Sequence, residues 1–144
     1  MRIIRFLLGR LILLINWITL PTPVVRSQAQ QDELDHSTQH LTVYEMLACP
    51  FCVKVRREIH RQGLKITTID VKQSAYEMDR LVNEGGKFQV PCLRVDTSSD
   101  YISPSTISMQ PFSTSSDTEK VQWIYESDEI IKLIQTLTDA EQNA

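Results

Sequence analysis

The chain has only three cysteines in 144 residues, too few and odd in number for the disulfide framework of a small secreted fold. Positive charge is not in excess either. Fifteen Lys and Arg against eighteen Asp and Glu give a formal net charge of -3, with no field to attract polyanions, so nucleic acid is not an expected partner. Of the three histidines, His36 and His40 stand four apart and His60 stands alone. None has partner ligands to complete a zinc site, and no metal is expected. Internal repeats are absent. A long uninterrupted apolar run is missing too: Leu11 to Leu20 is about half of the roughly 20 residues that a spanning helix needs, and Asn16 lies inside it.

What is present starts with 42% hydrophobic residues, enough to build a core in a chain whose length suits about one domain. Residues 1–26 differ from the rest: Arg2, Arg5 and Arg10 punctuate a run of Ile, Leu, Phe and Trp that ends at Pro21 and Pro23. On a helical wheel Arg2, Arg5, Gly9, Arg10, Asn16 and Thr19 share one side, with Ile4, Leu7, Leu11, Leu14, Ile15 and Ile18 opposite. This pattern predicts a membrane-associated amphipathic helix, its arginines at anionic headgroups and its apolar face with Trp17 in the acyl boundary. A spanning signal-anchor, and a signal peptide cut near Ser27-Gln28-Ala29, are the competing readings. Residues 27–40 are polar, without helical or strand periodicity, and read as a linker.

From Leu41 strand and helix signals alternate. Leu41 to Leu47 reads as a buried strand, Pro50 to Gln62 as a helix with proline in its first turn and Gly63 at its end. Lys65 to Val71 is a second strand, and Ser74 to Glu84 a helix with Met78, Leu81 and Val82 inward, closed by Gly85-Gly86. Phe88 to Val95, broken by Pro91, and Val121 to Tyr125 are the last strands, and Ser127 caps a final helix through about Thr138, with Asp128 and Glu129 in its first turn. A Ser/Thr-rich stretch at about 97–118 separates the last two strands and reads as an insertion within a domain spanning 41–140. The order β-α-β-α-β-β-α, with a C-x-x-C where the first strand feeds the first helix, is the thioredoxin-like arrangement: an α/β fold with a four-stranded mixed sheet and flanking helices. The first two strands pair parallel and the last two antiparallel.

The chemistry centres on Cys49-Pro50-Phe51-Cys52. A cysteine at a helix N-terminus meets unsatisfied N–H groups and the positive end of the dipole, which favour the thiolate, the species that attacks disulfides. Lys54, Arg56 and Arg57 add positive potential. Cys52, nearly a turn further on, is placed to resolve a mixed disulfide on Cys49. Phe51 offers an aromatic face to a thiol substrate. The C-x-x-C has a structural-zinc alternative, which would draw on Cys92 and a histidine. Cys92, in an apolar strand, reads as a core residue.

Tyr44 to Arg57, YEMLACPFCVKVRR, resembles the active-site strand, turn and helix of glutaredoxins. Gly85-Gly86 followed by Val90-Pro91 resembles the family's Val-Pro element, and Trp123 to Ile130 its last strand and helix start. The resemblance covers about Leu41 to Leu137 without the insertion. It implies reduction of protein-glutathione mixed disulfides or protein disulfides, with glutathione as reductant. It also implies that the Val90 backbone pairs with the glutathione cysteinyl unit before a cis Pro91. Glu126-Ser127 resembles the Glu-Ser pair by which glutathione transferases hold the γ-glutamyl end. Met46 departs from the family's frequent lysine three residues before the nucleophile, and Glu126-Ser127 from its usual Gly-Gly.

Partners expected on this reading are glutathione, glutathionylated or disulfide-bonded proteins, and a membrane through the N-terminal segment, with the catalytic domain on the cytoplasmic side. Two alternatives stand beside it. The large helical second domain of glutathione transferases is absent, which argues against that activity. A non-catalytic membrane-tethered module, binding a partner or an iron-sulfur cluster between two subunits, fits less well with Pro50 in the active-site turn.

Overall fold

The structure is a computed structural model in which residues 2–96 and 121–142 are described. The insertion expected at 97–118 lies outside the described residues. In chain order the elements are α1 (Arg2–Ile18), α2 (Gln28–Thr38), β1 (Leu41–Glu45), α3 (Pro50–Arg61), β2 (Thr67–Asp70), α4 (Ala75–Gly85), β3 (Cys92–Asp96), β4 (Val121–Ile124) and α5 (Ser127–Gln142).

The strands form one sheet in the order β2-β1-β3-β4. β1 pairs parallel with β2, because α3 returns the chain between them, and antiparallel with β3; β4 pairs antiparallel with β3. Side chains alternate across the pleat. Leu41, Val43, Leu93 and Val95 point to one face, where α3, α5 and α2 cover them with Val55, Ile59, Ile130, Ile134 and Leu34. Tyr44 and Cys92 point to the other face and join Val71, Leu81 and Tyr125 beneath α4. This is the thioredoxin-like α/β architecture that the element order predicts.

The boundaries differ from expectation where local chemistry stops a ladder or a helix. β3 begins at Cys92 rather than Phe88, since Pro91 has no N–H to donate. On α4, Leu81 and Gly85 are buried and Met78 is half-buried, while Val82, one position round the helix from Leu81, is exposed. Gly86 ends that helix in the left-handed conformation, φ 82°, where the absence of a Cβ matters. The N-cap position of α5 is Glu126, whose carbonyl accepts from the Ile130 N–H at 3.0 Å, so Ser127 lies inside the first turn rather than capping it.

The larger correction concerns residues 27–40. The expected linker is helix α2, opened by a capping box in which the Ser27 Oγ accepts from the Gln30 N–H and the Gln30 side chain accepts from the Ser27 N–H. Leu34 and Thr38 are fully buried, and Leu34 belongs to the main core. Gln31 donates to the Gly63 carbonyl at 2.9 Å and Asp35 pairs with Lys65, which fastens α2 to the turn after α3. One large apolar residue in an eleven-residue helix is too weak a periodic signal to announce it, yet a single buried leucine is enough to seat it.

α1 is also fastened to the domain. Arg57 donates to the Thr19 Oγ1 at 2.9 Å, the Thr19 carbonyl at 2.6 Å and the Asn16 Oδ1 at 3.3 Å, and the Val24 N–H donates to the Arg61 carbonyl at 2.8 Å. Gly9 and Asn16, from the side expected to meet headgroups, are therefore turned toward the domain. The opposite side leaves Ile4, Leu7, Leu11, Leu14, Ile15 and Ile18 exposed. No helix among the described residues is long and apolar enough to cross a membrane.

Candidate active site

The C-terminal end of β1 runs into a tight turn, closed by the Cys49 N–H donating to the Met46 carbonyl at 3.1 Å. Cys49 is the N-cap residue of α3, with extended backbone and a side chain that makes no capping hydrogen bond. Pro50 follows at the first helical position, where its missing N–H is no loss. The Cys49 sulfur thus stays available beside the unsatisfied N–H groups of the helix start.

Cys52 lies a turn deeper and is 1% exposed. Its Sγ accepts from the Met46 N–H at 3.5 Å. Burial pushes its thiol up to about 12, and the neighbouring Cys49 and Glu45 act in the same direction against the Met46 N–H. Cys52 is held as a thiol through the neutral range. The two cysteines differ in access: one half-buried at the surface, one enclosed.

The basic residues of α3 are engaged. Lys54 pairs with Asp128 of α5; Arg56 donates to the Glu45 Oε2 at 2.9 and 3.1 Å; Arg57 is turned to α1. Arg56 therefore reaches the surroundings of Cys52 together with a carboxylate, not as a bare cation.

The family model for glutaredoxin matches residues 41–99, the stretch that contains β1, the Cys49–Cys52 turn, α3, β2, α4 and β3. This region belongs to the glutaredoxin family. No curated protein and no solved structure matches the chain. The glutaredoxin domain is a thiol-disulfide oxidoreductase module, and Cys49 and Cys52 are its close cysteine pair.

Around that pair the other expected residues fall in three places. Phe51 is 61% exposed beside Cys49. The Val90-Pro91 bond is cis; Val90 is half-buried against the cluster of Tyr44, Cys92 and Tyr125, and Pro91 is buried. Glu126 and Ser127 open α5, which runs alongside α3 with both N-termini at the same end, as Lys54 with Asp128 and Glu58 with Gln135 show. Gln89 ties two of these places together, its Nε2 donating to the Glu126 Oε1 at 3.3 Å.

Cys92 is buried in the core as expected, its thiol pushed up to about 12 by burial, against the opposing influence of the neighbouring Tyr125 hydroxyl. Among the described residues no group of three or more His, Cys, Asp or Glu is placed to hold a metal ion.

Sequence reasoning missed contributors from three parts of the chain. Gln89 sits in a loop with no pattern to mark it. Lys72 reaches the site because the Val71 N–H donates to the Glu45 carbonyl at 3.0 Å, joining the ends of β2 and β1. Arg5, Gly9 and Ile12 of α1 line a groove of about 330 Å³ with Met46, Cys49 and Lys72. Gly9 carried a signal: a glycine inside an apolar helix often marks a close packing contact.

Proposed function

We propose that this glutaredoxin domain reduces protein-glutathione mixed disulfides and protein disulfides, with Cys49 as nucleophile, Cys52 as resolving thiol and glutathione as reductant. The observation that carries the reading is the asymmetry of the pair: Cys49 accessible at the N-cap of α3, Cys52 buried one turn on and kept as a thiol. The Cys49 thiolate attacks the glutathione sulfur of the substrate; that disulfide breaks, a Cys49-glutathione disulfide forms, and the protein leaves as a thiolate that takes a proton from water. A second glutathione thiolate then attacks the same glutathione sulfur, releasing glutathione disulfide and restoring Cys49. With a protein disulfide as substrate, Cys52 loses its proton as it attacks the mixed disulfide, leaving a Cys49-Cys52 disulfide for glutathione to reduce.

The glutathione contacts are read as the Val90 backbone beside Pro91, the Phe51 face, and Glu126 with Ser127. An extended peptide suits pairing with a free strand-like backbone. Carboxylates suit the N–H groups at the start of α5, and an ammonium suits Glu126. Supporting the assignment, Gln89 holds the Val90-Pro91 loop beside Glu126.

The same reading attaches the chain to a membrane surface through α1, with the domain on the cytoplasmic side, where reduced glutathione is maintained. Its support is the row of exposed Ile, Leu and Phe side chains and Trp17 along α1.

The test is glutathione-dependent reduction of a small mixed disulfide by the full chain, comparing wild type with Cys49→Ser and Cys52→Ser. Activity lost in the first and kept in the second supports the mechanism. A wild type inactive with glutathione but active with a dithiol reductant removes the assignment of Val90, Glu126 and Ser127.

A further inference from the structure

Cys49 stands at the end of β1, and the sheet order puts β2 on one flank of that strand and β3 on the other. The residues read as glutathione contacts beyond the active-site turn, Val90, Pro91, Glu126 and Ser127, precede β3 or follow β4. They occupy the β3–β4 flank. The groove lined by Arg5, Gly9, Ile12, Met46, Cys49 and Lys72 opens on the β2 flank, and neither those four residues nor Phe51 line it.

Two cations face this groove. Lys72 follows β2 and is brought in by the Val71–Glu45 backbone bond. Arg5 comes from α1, which lies so close at Gly9 that a Cβ there would stand 3.1 Å from the Ala48 Cβ. Both side chains are exposed, and neither takes part in an ion pair among the described residues. Lys54, Arg56 and Arg80, by contrast, are each paired with a carboxylate. The wall between the two cations is apolar: Leu8 and Ile12 from one side, Met46 and Pro50 from the other.

We propose that this groove receives the protein half of the mixed disulfide, and that Arg5 and Lys72 select substrate cysteines flanked by acidic residues. The inference rests on the reaction proposed above. A protein-glutathione disulfide brings two chains to Cys49 at once. If glutathione fills the β3–β4 flank, the polypeptide around the substrate cysteine is left the β2 flank, where apolar walls take its backbone and side chains and the cations take carboxylates. The exchange itself is unchanged: the glutathione sulfur is transferred to Cys49 and the electron pair leaves on the substrate sulfur, beside two positive charges that favour the departing thiolate. α1 is then part of the site, supplying from outside residues 41–99 a charge on the side where Met46 leaves none.

The experiment uses the full chain and three glutathionylated peptides that share one cysteine and differ in flanking residues: Glu, Gln or Lys. The expected result is a kcat/KM about tenfold higher for the Glu peptide than for the Gln peptide at low ionic strength. That ratio falls toward one as salt screens the charges. The double variant Arg5→Glu with Lys72→Glu is expected to turn the preference toward the Lys peptide. Because each ratio compares substrates within one preparation, partial loss of folded protein does not shift it. An unchanged ratio in the double variant overturns the proposal. So does a raised KM for glutathione with the peptide ratio intact, which would give the cations to the reductant. Should glutathione fail where a dithiol supports turnover, the glutathione reading falls, and the peptide ratio measured with the dithiol still decides the groove. No turnover of any peptide with either reductant overturns both.

Discussion

Cys49 and Cys52 are three positions apart, and one turn of helix makes them different reagents. The enclosed Cys52 thiol is pushed up to about 12 by burial, and Cys92, wholly buried, is pushed up to about 12 for the same reason. Reduced native protein treated with iodoacetamide near neutral pH is therefore expected to gain one adduct, on Cys49, read by mass spectrometry of digested peptides. Rapid labelling of all three would remove the burial argument. The sign of the pH effect follows. Both buried thiols sit above their ordinary value of 9.0, so the stability they favour is whole below that pH and is lost as pH climbs toward 12. A urea midpoint that falls across this window, and falls less in Cys92→Val, is the expected outcome. Gly85 is a second residue whose identity is dictated by a neighbour: a Cβ there would stand 2.2 Å from the Tyr125 Oη, which donates to the Gly85 carbonyl. Gly85→Ala is expected to cost about 1–3 kcal/mol, measured by denaturant unfolding. The Gly85-Gly86 pair was legible as a helix stop; that only Gly86 serves the stop, while Gly85 makes room for a tyrosine forty residues on, was not.

At the scale of elements, Pro50 and Gly63 marked the ends of α3, the apolar spacing of Met78 and Leu81 with Gly85-Gly86 marked α4, and Ser127 followed by Asp128 and Glu129 marked the start of α5. Periodicity failed at α2, whose sequence Gln28 to Thr38 has Leu34 as its one large apolar residue. The signal that was present was the Ser27-x-x-Gln30 capping box, a local pattern that states where a helix begins without stating that one is buried. Leu34→Ala is expected to cost about 2–5 kcal/mol, the range for emptying a core leucine site, whereas a substitution in a true tether would leave the urea midpoint in place. β3 shows the complementary error. Phe88 to Val95 reads as a strand interrupted at Pro91, but Pro91 ends the pairing altogether, leaving Val90 in a loop and Cys92 at the start of the strand that enters the core.

For the whole molecule, α1 has two surfaces with different destinations. Gly9, Ile12 and Asn16 meet the domain, while a broad apolar side from Ile3 to Ile18, with Val24 and Val25 beyond it, faces outward. Full-length protein is expected to float with anionic phospholipid vesicles. Leu11→Asp with Ile15→Asp is expected to reduce that fraction by about tenfold or more, since on the proposed membrane reading each change removes exposed methylenes that would enter the acyl boundary and puts a charge in their place. Equal flotation of wild type and variant would sink the membrane assignment.

The fold class and the close cysteine pair were readable from the sequence alone, because both depend on patterns local to the chain: alternation of period 2 and 3.6, proline at a helix start, and a C-x-x-C where a strand meets a helix. The partners of those elements were not readable, because they depend on which surfaces meet. A capping box does not say that Leu34 reaches the core, and a polar stripe on α1 does not say whether it faces headgroups or Ala48. Sequence places Lys72 and Arg5 sixty-seven positions apart; only the parallel joining of β2 to β1 and the docking of α1 at Gly9 bring both to Cys49.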